Sequence, residues 1–98
     1  MYSYKVYFLQ SLKDKGFYIG YTSLELQERL KKHNAGHVRS TKPRRPWILI
    51  YFEQYSDKSI ACKREYYLKR PLGYKEKLFI ISKCSGLAQT QKGPFEVG

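Results

Sequence analysis

Acidic side chains are scarce in this chain: eight Asp and Glu stand against nineteen Lys and Arg, a formal net charge of +11 on 98 residues. So dense a positive charge repels itself in a compact monomer unless an anionic partner offsets it, which makes nucleic acid the leading partner. Cysteine is nearly absent as well. Cys62 and Cys84 are too few for a disulfide framework, and both are expected to remain thiols in a reducing cytoplasm. Zinc is disfavoured on related grounds, because His33, His37, Cys62 and Cys84 lack the paired spacing of a structural site. No long apolar run exists. The longest, Trp47 to Phe52, is far too short to span a bilayer, and no apolar signal region follows the first residues, so no membrane is expected. A chain of this length makes one small domain, without internal repeats. The folded domain is expected over 1–82, with 83–98 a polar, loosely ordered tail.

What is present is an alternating, aromatic start. Tyr2, Tyr4, Val6 and Phe8 share one face of a first strand, while Ser3, Lys5, Tyr7 and Leu9 share the other. Lys13-Asp14-Lys15-Gly16 reads as a turn, and Phe17 to Thr22 as the returning antiparallel strand, so Tyr7 and Tyr18 come from one hairpin. Thr22-Ser23-Leu24-Glu25 fits a capping box that opens a helix running to about Asn34 and stopping at Ala35-Gly36. Residues 37–46 form a basic loop, Trp47 to Tyr55 reads as a buried third strand, and Ser56-Asp57 caps a second helix broken by Pro71 and Gly73. Lys75 to Ser82 predicts a third helix, with Leu78, Ile81 and Phe79 as its apolar side. The expected architecture is α/β of the α+β type: a three-stranded, mostly antiparallel sheet flanked by about three helices, in the order β-β-α-β-α-α.

Five polar residues on these elements could form one site. Tyr7, Tyr18 and His33 are candidate proton acceptors, Arg29 a fixed cation for a phosphoryl oxygen, and Glu65 a hard oxygen ligand for a divalent metal. Arg29 and His33 lie one turn apart on the first helix, whose stripe is Leu26, Leu30 and His33. Glu65 falls between Ala61 and Leu68 on the second helix, so a carboxylate borders an apolar face and needs a compensating partner. Each has a plainer reading. Tyr7 and Tyr18 could be packing aromatics, His33 a histidine serving terminal carbonyls, Arg29 a solubilising residue, and Glu65 the i,i+4 partner of Lys69. Arg39, Lys42, Arg44 and Arg45 in the loop, with Lys63 and Lys69 on the second helix, are candidate nucleic-acid contacts, or a solvated charge run.

Taken in order and spacing, these residues resemble the GIY-YIG nuclease family, specifically its small stand-alone members. The resemblance covers about residues 4–81: Val6-Tyr7 ends the first motif, Tyr18-Ile19-Gly20 is the second motif intact, Arg29 and His33 occupy the arginine-plus-histidine helix, and Glu65 is the metal glutamate. Lys5 stands where the first motif has glycine, Tyr21 where some relatives carry lysine, and the late asparagine of many members is missing. The resemblance implies a metal-dependent endonuclease acting on nucleic acid, DNA in the first instance, with one Mg²⁺ or Mn²⁺ ion and no small-molecule cofactor. Tyr7 would be general base, Tyr18 would orient the attacking water, His33 would accept the proton onward or hold Tyr7, and Arg29 would stabilise the transition state. Gly20 would let a backbone or substrate approach the strand closely. With the ordinary tyrosine value, forming the Tyr7 phenolate at pH 7 costs roughly 4 kcal/mol, so cations or His33 must assist, and Lys5 lies on the same face. The alternative is a nucleic-acid-binding module of the same fold with little or no cleavage.

Overall fold

In the computed structural model, residues 3–84 are described. Their elements are β1 (Tyr4–Ser11), β2 (Phe17–Thr22), α1 (Leu26–Asn34), β3 (Trp47–Tyr55), α2 (Lys58–Leu68) and α3 (Tyr74–Cys84), with short 3₁₀ turns at Lys42–Arg44 and Pro71–Gly73. The sheet order is β2-β1-β3 and both pairings are antiparallel, giving the expected α+β fold in the expected element order. The third helix extends past Ser82 to Cys84, so the expected tail begins two residues early, and its remainder lies outside the described residues.

The central strand is β1, whose two faces are both covered. Val6 and Phe8 pack with Ile19, Ile50, Ala61, Leu68 and Ile80 on the α2/α3 side, whereas Tyr7 and Leu9 pack with Trp47, Leu26 and Leu30 on the α1 side. Tyr7 therefore faces away from Val6 and Phe8, as the alternation predicts. The third strand is not fully buried, contrary to expectation, because it lies at a sheet edge with Ile48 37% exposed. Its unbroken apolar run has another cause. Phe8 pairs with Tyr51 and Leu9 with Leu49, so Ile50 is the extra residue of a β-bulge. The bulge puts Ile50 and Tyr51 together on the α2/α3 side and leaves Leu49 and Phe52 on the α1 side.

Helix ends follow their local chemistry, with one correction. Asp57 caps α2, its carboxylate accepting from the Ser59 and Ile60 amides at 2.8 and 3.4 Å. Gly36, at φ 85°, takes the left-handed conformation that ends α1. The capping box at Thr22 does not form. Thr22 Oγ1 accepts from the Leu24 amide two residues on, turning the chain out of β2, and α1 begins only after Glu25, which makes no side-chain cap.

The apolar side of α3 also differs from expectation: Ile80 and Cys84 are buried, with Ile81 packed against them, while Leu78 and Phe79 are exposed. Four consecutive apolar residues, 78–81, offer no periodicity that could select a face. The phase is set by contacts on either side. A Cβ at Gly73 would run into the Tyr67 carbonyl, so only glycine permits the close turn from α2 into α3. Glu76 on α3 accepts from Arg64 Nη2 at 2.6 Å, and the same guanidinium donates twice to Glu53 on β3 at 2.8 Å. Tyr51 and Tyr55 hydroxyls complete the Glu53 carboxylate, each at 2.6 Å.

This network ties α2 to β3 and α3. Burial alone would raise the Glu53 pKa, but the hydrogen bonds from Arg64, Tyr51 and Tyr55 outweigh it and leave Glu53 below its ordinary value. Replacing Arg64 by methionine is expected to cost about 3 kcal/mol, because a poorly exposed carboxylate loses its cation, and urea unfolding at pH 7 measures it. A carboxylate with a lowered folded-state pKa contributes stability above the ordinary carboxylate range and loses it as pH falls. The penalty for Arg64→Met should accordingly shrink as Glu53 protonates.

Candidate active site

Tyr7 sits at the middle of the central strand, directly opposite Gly20 in the register. Any side chain at that position would collide with it: a Cβ on Gly20 would lie 2.6 Å from the Tyr7 hydroxyl and 2.8 Å from Cζ. The missing Cβ makes room for the Tyr7 ring. That assigns the glycine's space to an intramolecular group, where the sequence suggested a backbone or substrate.

The Tyr7 hydroxyl is 2.8 Å from His33 Nε2, and Arg29 Nε donates to it at 3.1 Å. His33 is fully buried, its Nδ1 2.8 Å from Thr41 Oγ1, which in turn donates to the Val38 carbonyl at 3.3 Å. Because the Thr41 proton goes to Val38, Thr41 accepts from His33 Nδ1–H. His33 Nε2 then carries the lone pair and accepts from Tyr7. The chain of donors runs Arg29 to Tyr7, Tyr7 to His33, His33 to Thr41, and Thr41 to the Val38 carbonyl. Tyr18 closes the wall of the site, with ring centroids 6.4 Å from Tyr7, 5.2 Å from His33 and 6.1 Å from Trp47.

Burial dominates the electrostatics. It pushes Tyr7 up to about 12, against the lowering effect of the Arg29 hydrogen bond and charge, while Tyr18 and the negative charge of Glu65 add to the rise. His33 is pulled down to about 4, by burial first and by the Arg29 charge second. Both groups are therefore neutral at pH 7, and a free Tyr7 phenolate costs roughly 7 kcal/mol, more than the ordinary tyrosine value suggests. Lys5 does not offset this. Its ammonium donates to the Leu24 carbonyl at 3.1 Å, anchoring the segment between β2 and α1.

Glu65 approaches from the other helix layer. Its Oε2 accepts from Lys69 Nζ at 2.8 Å, the i,i+4 pair the plainer reading expects, and Lys69 Nζ lies 5.4 Å from the centroid of the Tyr18 ring. The end of α2 thus meets the site beside β2, an edge strand, and the carboxylate lies near enough to act electrostatically on Tyr7. A single half-buried carboxylate suits an ion that keeps most of its water, as Mg²⁺ does. It does not make a zinc cage. Among the described residues no group of three or more His, Cys, Asp or Glu could hold a metal, and both His33 nitrogens are engaged by Tyr7 and Thr41.

The candidate nucleic-acid residues divide. Arg39, Lys42, Arg45 and Lys63 are exposed. Arg44 is committed elsewhere: it pairs with Asp14 at 2.7 Å, stacks 4.8 Å from the Trp47 ring, and its carbonyl accepts from Ser11 Oγ at 2.7 Å. Arg45 Nε donates to the Lys42 carbonyl, and Lys13 Nζ to the Pro43 carbonyl. The basic loop is thereby fastened to the β1–β2 turn, in which Lys15 at φ 66° supplies the left-handed residue. Two supporting residues escaped the sequence reading. Thr41, fully buried, fixes His33, and Asn34 bridges the Trp47 backbone through both amide atoms, at 3.0 and 2.7 Å. Neither belongs to a periodic pattern; the one available cue is that a relay histidine needs a second partner.

Comparison with known proteins identifies the family and the fold. Residues 3–77 match the GIY-YIG catalytic domain. The chain is 40% identical over 78 residues to UPF0213 protein YazA of Bacillus subtilis (strain 168), covering 79% of this chain and 78% of that one. With UPF0213 protein CPE1444 of Clostridium perfringens (strain 13 / Type A) the identity is 42% over 81 residues, 82% and 84% of the two chains. The solution NMR structure of UPF0213 protein BH0048 from Bacillus halodurans matches with TM-score 0.52 and 29% identity, over 90% of this chain and 93% of that one. GIY-YIG domains are generally endonucleases that act on nucleic acid with a divalent metal ion. A tyrosine from the first strand, a second from the intact Tyr18-Ile19-Gly20 motif, and an arginine and histidine one turn apart meet here on that scaffold, and the chain belongs to the GIY-YIG family.

Proposed function

We propose that this protein is a metal-dependent endonuclease that hydrolyses nucleic-acid phosphodiester bonds, DNA in the first instance. The observation that carries the reading is the Tyr7 hydroxyl held between a cation, Arg29, and an unprotonated imidazole, His33, with a carboxylate at the rim. Tyr7 takes a proton from the attacking water while its own proton passes to His33 Nε2, and Thr41 keeps that nitrogen available. Burial holds Tyr7 high and His33 low, which disfavours a separate phenolate and imidazolium, so the two protons move together rather than in sequence. Tyr18 orients the water. Arg29 donates through Nε to Tyr7 and has further N–H groups for a nonbridging phosphate oxygen. Glu65 would hold one Mg²⁺ or Mn²⁺ ion, which when bound supplies positive charge at the phosphate and its leaving oxygen. Arg39, Lys42, Arg45 and Lys63 contribute sequence-independent backbone contacts.

Two observations favour a second reading, a binding module of the same fold that cuts little. Tyr7 is 1% exposed, and Glu65 is already paired with Lys69. Incubation of plasmid, branched DNA and single strands with Mg²⁺ or Mn²⁺ decides between them. Cleavage is expected, abolished in Glu65→Gln and reduced on the order of 10²-fold to 10³-fold in Arg29→Ala. Intact substrates with either metal would leave the binding module, and undiminished cutting by Glu65→Gln would remove Glu65 from the site.

The relay also predicts how His33 titrates. Its proton at pH 7 should sit on Nδ1, and ¹⁵N NMR should place its pKa near 4. A histidine whose folded value is depressed binds its proton less readily than the unfolded chain does. Stability is then full above about pH 6.5 and falls by roughly 3 kcal/mol as pH drops toward 4, a slope that His33→Gln should lack. An Nε2-protonated His33, or one titrating near 6.5, would contradict the relay.

A further inference from the structure

Beyond Glu65 the helix α2 ends in a cleft of about 340 Å³, lined by Leu68, Lys69, Arg70, Pro71, Tyr74 and Lys77. Its volume falls within the range of small-molecule sites, roughly 300–1,000 Å³. Its lining has a definite chemistry. Leu68, Pro71 and the Tyr74 ring supply apolar surface; Lys69, Arg70 and Lys77 supply three cations, and no acidic residue takes part. Tyr74 is 53% exposed although aromatic, and Lys77 Nζ stands 5.4 Å from its ring centroid. Alongside, Arg70 lies 4.2 Å over Tyr66, itself 60% exposed. Lys69 joins this cleft to the active site, since the same ammonium pairs with Glu65 and sits over Tyr18.

We propose that this cleft is a nucleotide subsite, taking one unpaired nucleotide of the strand being cut, next to the phosphate at Glu65. The inference rests on the nuclease reading for the position of that phosphate. The base stacks on the exposed face of Tyr74, and the sugar-phosphate runs between Lys69 and Lys77. An aromatic face beside a cation is the arrangement by which single strands are held, because every base has a π-face and every link a charge. A paired base cannot serve, since its faces are already covered in the stack. A protein partner fits the lining less well, because it would have to desolvate three cations that nucleic acid neutralises directly.

The test separates binding from cutting. Glu65→Gln protein in EDTA is titrated into fluorescein-labelled oligothymidylate and into a blunt duplex of the same length, and anisotropy is read. Adding Tyr74→Ala should weaken single-strand binding roughly ten-fold, adding Tyr74→Phe should leave it unchanged, and duplex binding should not respond to either. Crosslinking of a 5-iodouracil oligonucleotide should map to Tyr74. Unchanged single-strand affinity in Tyr74→Ala, or equal losses on both substrates, would overturn the subsite. Circular dichroism checks that the variants are folded, and failure of Tyr74→Phe to restore binding also counts against stacking. A protein that binds through Tyr74 yet cuts nothing leaves the subsite standing and removes the nuclease reading.

Discussion

A phenol hydroxyl buried in the middle of a small sheet must find hydrogen-bond partners, and the arrangement around β1 follows from satisfying Tyr7. On one side glycine is required opposite, because a Cβ at residue 20 would occupy the ring's place. On the other side α1 must bring a donor and an acceptor to the same oxygen, which Arg29 and His33 do from adjacent turns. His33 is then buried in turn and needs a partner of its own. Thr41 meets that need, which fixes the middle of the basic loop, and Trp47 Nε1 donates to the Thr41 carbonyl at 3.0 Å. A single buried polar atom thus propagates constraint through β2, α1 and the loop that leads into β3.

The opposite face is organised by a second polar cluster. Glu53, Arg64, Glu76, Tyr51 and Tyr55 lock α2 against β3 and α3. Arg64 precedes Glu65 in the chain, so the side chain that fixes the helix is the neighbour of the one that reaches the site. With one edge of α2 held by a network of charge-assisted hydrogen bonds, its rotation about its own axis is set. The Glu65 carboxylate is consequently delivered to the β2 edge by rigid packing rather than by a mobile loop. The same packing keeps Glu65 close enough for its charge to act on the Tyr7 phenol.

How much of this was legible in the sequence depended on whether a local pattern carried it. Alternation in β1 gave the face of Tyr7, Asp57 announced α2, Gly36 ended α1, and helical spacing put Arg29 beside His33. Features decided by tertiary contact were not readable. The bulge at Ile50 made an edge strand look like a buried one, and the apolar run 78–81 concealed which side of α3 is inside. The pairing of Arg44 with Asp14 was hidden too, because nothing in the sequence links residues thirty positions apart. Thr41 was silent for the same reason, since its importance exists only once His33 is buried next to it.

The central claim is that Tyr7 and His33 act as one proton-transfer unit. A double-mutant cycle with Tyr7→Phe and His33→Gln, read as cleavage rate at saturating metal, tests it most directly. The double variant is expected to be no slower than the slower single variant, because removing either end disables the same transfer. Losses that multiply would mean two independent contributions, and would contradict it.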